Sequence, residues 1–306
     1  MSSIRSDVGR LSAAGFQFAA AIAVALILWP AAARSQGAPV PAARPSIQVV
    51  TGESGARIQV GGQDFMITGM NWDYVPIGQN YSWDLWSQPD GVIQAALKRE
   101  MPLLKAMGVN AIRQYSGVPP RWVRYIYERY GIYTMINHTV GRYGFTLDGV
   151  WHPSVDYSDP KMRAALKAEV VALVDQFRGT PGLLMYLLGN ENNYGLSWAS
   201  TEIEALPQGE RDAARARQLY SLFGEVIHAA KEHDPDTPVA MANGDLQYID
   251  IIAQECKGLD VFGTNVYRGI SARDLFQVVK DKLGLPVLLT SSAVTRTTRR
   301  RCARTR

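Results

Sequence analysis

The residues best suited to chemistry in this chain close an apolar run, in the stretch YLLGNENNYGLSW. Asn190 and Glu191 follow a segment, LLMYLL, that has the length and composition of a buried strand. A carboxylate buried there without a partner would cost several kcal/mol, so Glu191 needs either an ion-pair partner or a proton of its own. A carboxyl group that keeps its proton suits general acid catalysis, and a structural salt bridge is the alternative.

The glutamate stands on the fourth of seven strand-like segments, which are FMITGMN, VNAIRQY, IYTMINH, LLMYLLGNE, PVAMANG, LDVFGTNVY and PVLLT. Helical segments separate them, and apolar residues recur there at helical spacing, as at Leu219, Leu222, Phe223 and Val226. Short strands that are apolar nearly throughout are typical of a parallel sheet covered on both faces. Strict alternation fits either a doubly wound open sheet or an eightfold barrel.

Two features favour the barrel. No glycine-rich phosphate loop follows the first strand, which disfavours a dinucleotide-binding sheet. Polar and aromatic residues instead gather just after strand upon strand, where a barrel builds its active site. The sequence therefore predicts an α/β fold, a (β/α)8 TIM barrel that is incomplete, with seven strands recognisable and the eighth missing. A short β-ribbon, in IQVVTGESGARIQV, precedes it.

The placement of three motifs resembles the glycoside hydrolases of clan A. These motifs are VNAIRQY at the second strand, LLGNEN at the fourth and GTNVY at the sixth. The likeness is greatest to the TIM-barrel catalytic domain of family 2 and looser to the β-1,3-glucanosyltransferases, and it covers roughly residues 58–290. It implies a retaining hydrolase of β-linked glycans or glycosides, without cofactor or metal.

The resemblance assigns roles to individual side chains. Glu191 would be the general acid and base, and Asn190 would bind the sugar 2-hydroxyl. Arg113 would support the nucleophilic carboxylate, unless it forms an ordinary ion pair. Tyr267 would donate a hydrogen bond to the same carboxylate, unless its ring only packs.

Further sugar contacts are predicted at neighbouring strand ends. Asn265 and His138 could bind sugar hydroxyls, although lone residues of this kind often have structural roles. Aromatic rings crowd the same loops, and flat sugar faces stack on such rings, so we predict a carbohydrate-binding rim, with loop packing as the alternative for any single ring. The rings are Tyr74, Tyr81, Trp83, Trp86, Tyr143, Phe145, Trp151, Tyr194 and Trp198.

The second carboxylate of a retaining mechanism is absent at its expected position. It should lie about 5 Å from the first and end the seventh strand, but Ser291 follows PVLLT. In one permitted back-translation, a single base restored after the first two bases of the Thr290 codon gives Thr-Glu-Phe-Gly-Gly-Asp-Ala-His. We therefore predict a frameshift that removes the nucleophile and the eighth strand, with a genuine basic arm as the alternative.

Charge and composition separate the ends from the body. The chain has a net charge of +4, and six of its arginines lie within residues 296–306. The body is slightly acidic, so a nucleic-acid-binding function is disfavoured. The only two cysteines are Cys256 and Cys302, and we expect Cys256 to be an isolated buried thiol.

The predicted domain order is a signal peptide at 1–36, a linker at 37–46, the hydrolase domain at 47–290 and a non-native basic tail at 291–306. This order predicts a secreted or periplasmic protein. An uncleaved membrane anchor and a mis-set start codon are the alternatives for the first segment.

Two other functions stay open. One is a catalytically inactive product that retains at most sugar binding. The other is an unrelated barrel enzyme that uses Glu191 for proton abstraction, which would need a metal or phosphate site that the sequence does not display.

Overall fold

A β-ribbon begins the part of the chain that the computed structural model describes, which comprises residues 44–52, 55–80, 82–115, 117–269 and 271–292. Strand β1 (Ile47–Gly52) pairs antiparallel with β2 (Gly55–Val60), and β2 pairs with the short β3 (Gln63–Asp64). The ribbon thus forms as predicted. The predicted signal peptide and the basic tail after Ser292 lie outside the described residues.

The remaining elements alternate between strands and helices. The first half contains β4 (Gly69–Asn71), α1 (Asp90–Ala106), β5 (Ala111–Tyr115), α2 (Pro120–Tyr130), β6 (Tyr133–His138), β7 (Phe145–Leu147), β8 (Val150–His152) and α3 (Pro160–Phe177). The second half contains β9 (Leu183–Leu188), α4 (Thr201–Glu204), a 3₁₀ turn at Gln208–Glu210, α5 (Arg211–His233), β10 (Val239–Met241), β11 (Asn243–Gly244), α6 (Ile249–Glu255), β12 (Phe262–Val266), α7 (Leu275–Leu283) and β13 (Val287–Ser292). The short β3, the β7–β8 hairpin, the short α4 and the 3₁₀ turn have no counterpart in the sequence-based prediction.

The strands form two parallel sheets that follow chain order. One sheet has the order β10-β9-β6-β5-β4 and the other β11-β12-β13. Ala242 alone separates β10 from β11, and a parallel bridge between Ala240 and Val261 links the two sheets. The predicted α/β class with parallel strands is confirmed. A closed barrel is not seen, because within the described residues β4 and β13 are not paired with each other.

The parallel strands bury both of their faces. One face packs against the helices, with Ile112, Ile136 and Tyr186 among the fully buried residues. The other face forms a second core to which the ribbon contributes Ile47 and Ile58. The ribbon therefore covers the amino-terminal ends of the strands, and the carboxyl ends remain available for polar residues.

Local capping explains where some helices begin. Asp159 accepts hydrogen bonds from the backbone N–H groups of Lys161 and Met162, and Pro160 occupies the first helical position of α3, as the sequence predicts. Ser271 has the sequence spacing of a capping box with Asp274 but does not form that cap. Its hydroxyl accepts from the Arg273 N–H instead, and α7 starts after Asp274 without a side-chain cap.

The space beside β13 is open. A cavity of about 720 Å³ is lined by residues of β4 and β13, by the ribbon and by Phe276 of α7. Met66, Phe276 and Leu289 are exposed there, so an apolar surface lies beside an unpaired strand edge. Among the described residues no helix is long and apolar enough to cross a membrane.

Candidate active site

A buried arginine lies at the centre of the polar cluster at the carboxyl ends of the strands. Arg113, on β5, is only 2% exposed. Its Nε donates to Asn137 Oδ1 at 2.7 Å, and one Nη donates to both Asn137 and Asn190 Oδ1, the latter at 3.0 Å. The other Nη donates to the carbonyl oxygen of Thr290 at 3.4 Å. Three strand ends are thus joined through one guanidinium group.

This cation has no anionic partner. Within the described residues no carboxylate lies in salt-bridge distance of Arg113, and its hydrogen-bond acceptors are amide and backbone oxygens. Burial lowers its pKa below the ordinary arginine value, because removal from water disfavours the charged form. A buried charge without a counter-ion is costly. The nearby Glu191 carboxylate lies beyond salt-bridge distance and favours the charged form of Arg113.

Glu191 follows the end of β9 and is half-buried. Its Oε1 accepts a hydrogen bond from Asn265 Nδ2 at 2.8 Å, and its backbone N–H donates to Ala242 O at 2.8 Å. No ion pair of this glutamate is found in the described part of the chain, so the structural salt bridge is not observed. Its φ of 55° lies in the left-handed region, which is uncommon for a residue with a side chain and is often found at functional sites.

Two asparagines hold the loop that carries Glu191. Asn192 Oδ1 accepts from the Asn190 N–H at 2.8 Å, and its Nδ2 donates to Val140 O at 3.0 Å. Asn193 binds the Gly244 backbone on both sides, at 2.8 and 3.0 Å. The loop is therefore tied to the strand ends on either side. The sequence-based prediction overlooked these residues and Asn137, although the NENN repeat was a visible signal.

Gly189 allows the turn between β9 and the glutamate. Its φ is 75°, and a Cβ added there would lie 2.7 Å from both Asn192 Oδ1 and Phe223 Cζ. We expect Gly189→Ala to lower the free energy of unfolding by roughly 2 kcal/mol or more, since a strained backbone and a steric clash add together. Urea denaturation measures this. Gly209→Ala is the matched control, because its φ is ordinary and nothing lies within 4 Å. Equal midpoints for the two variants would contradict the expectation.

The end of β13 contacts the same polar cluster. Thr290 Oγ1 donates to Asn265 Oδ1 at 2.6 Å, so Asn265 connects Glu191 to β13, the seventh parallel strand when β10 and β11 are counted as one interrupted strand. Asn71 Nδ2 donates to Thr290 O at 3.1 Å. Tyr267, which follows β12, donates its hydroxyl hydrogen to Ser291 Oγ at 2.8 Å. Its predicted partner was a carboxylate at this position, and here the partner is a serine.

Two predicted sugar contacts do not join the cluster. His138 Nδ1 accepts from the Val140 N–H, and its Nε2 lies 3.4 Å from Glu169 of α3, so the ring faces the helices. Trp198 is only 7% exposed and packs edge-on against Tyr157 in the outer core. Both residues make structural contacts instead, and their predicted binding to sugar stays a prediction.

Other predicted rings are exposed on the loops that follow the strands. Trp151 is 59% exposed on the β7–β8 hairpin, and Tyr194, Tyr143 and Tyr267 are exposed as well. Tyr143 Oη accepts from Asn190 Nδ2 at 2.6 Å. Tyr115, which the sequence-based prediction overlooked, is partly exposed and lies over Arg113.

The remaining predicted rings have structural contacts. Tyr74 packs against Trp83, and Trp86 packs against Trp72 and donates its indole N–H to Gln114. Phe145 is buried. Tyr81 lies outside the described residues. Nowhere in the described ranges do three or more His, Cys, Asp or Glu side chains gather as ligands for a metal ion.

Comparison with solved structures gives the fold a context. The chain superposes on a β-glucuronidase of Bacteroides uniformis with a TM-score of 0.57 and 12% identity, over 81% of this chain and 27% of that one. It superposes on a β-mannanase of the blue mussel Mytilus edulis with a TM-score of 0.55 and 13% identity, over 80% of this chain and 81% of that one. The described chain shares its fold with glycoside hydrolases.

Sequence comparison gives one weak match and no family model matches the chain. A stretch of 104 residues is 28% identical to β-galactosidase 2 of Enterobacter cloacae, covering 33% of this chain and 9% of that enzyme. The chain thus corresponds to about a quarter of the β-glucuronidase and to a still smaller part of the β-galactosidase.

Proposed function

We propose that the described unit is the catalytic domain of a retaining glycoside hydrolase, resembling family 2, that acts on a β-linked glycan or glycoside. The observation that carries the proposal is the hydrogen-bond path from Glu191 through Asn265 to Thr290. It sets one carboxylate at the fourth parallel strand opposite position 291 at the seventh. Arg113, a buried cation with no carboxylate in salt-bridge distance among the described residues, bonds to Asn190 and Thr290, the residues that precede these two positions.

The proposed reaction needs a second carboxylate at position 291. That carboxylate would attack the anomeric carbon while Glu191 protonates the departing glycosidic oxygen. Water would then attack the glycosyl-enzyme, with Glu191 accepting its proton. Tyr267 and Arg113 would stabilise the carboxylate before attack, and Asn190, held by Arg113, would bind the 2-hydroxyl of the sugar.

We propose further that a frameshift at Thr290 replaced this carboxylate with Ser291 and removed an eighth strand and helix. Within the described residues the edges of β4 and β13 are unpaired, and these edges and the cavity of about 720 Å³ that both strands line support this, because they leave room for one more strand. The seven parallel strands would then be an incomplete TIM barrel. We also propose, as a separate point, that an N-terminal signal peptide directs export of the protein.

The gene and the reaction product test these proposals. An uninterrupted reading frame, with no Glu-Phe-Gly in a neighbouring frame at Thr290, would remove the frameshift. For the frame-restored protein, proton NMR of the first product should show the β-anomer. Appearance of the α-anomer first would contradict a retaining mechanism.

A second candidate function is sugar binding without turnover by the chain as it stands. Ser291 favours it, since a serine hydroxyl paired with Tyr267 is a poor substitute for a nucleophilic carboxylate, whereas the exposed rings can still stack on sugars.

Trp151 provides the test of this binding function. We expect Trp151→Ala to weaken oligosaccharide binding about tenfold, because one stacked ring contributes about 1–2 kcal/mol. Isothermal titration calorimetry measures the loss. Phe276→Ala is the control, because Phe276 is also an exposed ring but lies on α7 beside the cavity at β13. Equal weakening by both variants would count against a specific stacking role.

A further inference from the structure

Arg142 has a guanidinium group without a hydrogen-bond or ion-pair partner among the described residues. It lies in the loop after β6, where its backbone N–H donates to Thr139 O. Its Nε is buried and has no hydrogen-bond partner, and no ion pair or side-chain hydrogen bond of Arg142 is found in the described part of the chain. The guanidinium carbon, Cζ, lies over the Tyr143 ring, 5.6 Å from the ring centroid.

Two other arginines near the strand ends, Arg113 and Arg268, do have hydrogen-bond acceptors for their guanidinium groups. Arg113 donates to asparagine side chains and a backbone carbonyl. Arg268 is held by Asp245 at 2.8 Å and by Asp274 at 3.0 Å. A guanidinium group carries five N–H donors, and desolvating them without acceptors is costly. Of the Arg142 donors only Nε is buried, so its Nη groups, which have no acceptor among the described residues, are available to an acceptor from outside the protein.

The position of Arg142 connects it to the candidate active site. The Tyr143 ring beneath it carries the hydroxyl that accepts from Asn190, the residue next to Glu191. On its other side, Nη1 lies 3.9 Å from the point where a Cβ would stand on Gly195, in the loop that follows Glu191. The guanidinium thus contacts a ring that is hydrogen-bonded to Asn190 and approaches the loop that follows Glu191, where Gly195 has no side chain to cover it.

We propose that Arg142 binds an anionic group, a carboxylate or a sulfate ester, on the glycan that occupies this cleft. The proposal rests on the function proposed above and narrows its substrate to an acidic glycan. Arginine pairs with carboxylates and sulfates through two parallel N–H bonds, which gives orientation as well as affinity. Tyr143 would carry the sugar ring, and Arg142 would receive its charged substituent.

The test compares three β-linked disaccharides that differ in a single group. One carries a neutral hydroxymethyl group, the second a uronic-acid carboxylate and the third a sulfate ester at the same carbon. Their binding to the chain as it stands is measured by titration calorimetry at low and high salt. Arg142→Met and Arg142→Lys are the variants, and Arg124→Met, an exposed arginine on α2, is the control.

We expect an acidic disaccharide to bind about tenfold or more tightly than the neutral one, with a preference that weakens in salt. The ratio of the affinity for the acidic disaccharide to that for the neutral one should fall towards one in Arg142→Met, be intermediate in Arg142→Lys and stay unchanged in Arg124→Met. Preference for the carboxylate alone or for the sulfate alone supports the proposal and identifies the anionic group.

Two results would overturn it. Equal affinity for all three disaccharides in the unmodified chain refutes the role of Arg142 and leaves the proposed function intact. A preference that persists in Arg142→Met at an unchanged melting temperature refutes it as well. Failure of all three disaccharides to bind refutes this inference together with the second candidate function, sugar binding by the chain as it stands; the hydrolase proposal is tested separately by the frame-restored protein. If Arg142→Met does not fold, the ratio in the unmodified chain and in Arg142→Lys decides.

Discussion

The frame-restored protein is expected to hydrolyse aryl β-glycosides on the order of 10⁴-fold faster, or more, than the chain as it stands. Loss of a nucleophile removes the covalent route, and what remains is substrate binding and the acid. In the restored chain a glutamate replaces Ser291, next to the Tyr267 hydroxyl and to the carbonyl of Thr290 that contacts Arg113. Initial rates with 4-nitrophenyl glycosides measure the difference.

Two designed chains separate the two effects of the proposed frameshift, which are the loss of the carboxylate and the loss of the eighth strand. Ser291→Glu in the chain as it stands restores the carboxylate but not the eighth strand. We expect it to raise the free energy of unfolding, because it brings an anion to the buried Arg113. The restored chain with glutamine at position 291 has the complete fold but no nucleophile, and it should be as inactive as the original. Robust turnover by the chain as it stands would show that the nucleophile lies elsewhere.

The second large effect concerns Glu191 in the frame-restored protein. Glu191→Gln is expected to reduce kcat/KM by about 10²–10⁴-fold for substrates with poor leaving groups, because these require protonation of the departing oxygen. Substrates with a good leaving group, such as dinitrophenyl glycosides, should lose far less in the glycosylation step. A set of aryl glycosides of graded leaving-group pKa, measured before steady state, reveals this dependence.

The matched control is Glu232→Gln, which changes an exposed glutamate of α5 that pairs with His228. It should leave every substrate unaffected. If Glu191→Gln lowered all rates equally, whatever the leaving group, Glu191 would be a structural residue of the cleft and the assignment of the general acid would fail.

Much of the fold followed from local pattern. Apolar runs of strand length, separated by helical periodicity, predicted the alternating elements, and Asp159 with Pro160 marked the start of α3. Glu191 could be located from the sequence because a charged residue closing a fully apolar strand is conspicuous. The serine at position 291 was equally visible, since it follows the last apolar strand directly.

Side-chain direction could not be read in the same way. Asn137 and His138 are adjacent at the end of β6, yet Asn137 faces Arg113 and His138 faces Glu169. Successive residues of a strand point to opposite faces, so the register of the strand decides which one enters the cleft. The sequence drew attention to the histidine, and the structure placed the asparagine in the site.

By itself, then, the sequence determined which elements form and where along the chain the proposed acid and Ser291 stand, because these depend on neighbouring residues. Only the tertiary structure decided that Trp198 is buried while Trp151 is exposed, that no described carboxylate lies in salt-bridge distance of Arg113, and that Arg142 has no hydrogen-bond acceptor for its side chain among the described residues. Each of these properties depends on residues distant in sequence that the packing of strands and loops brings together or keeps apart.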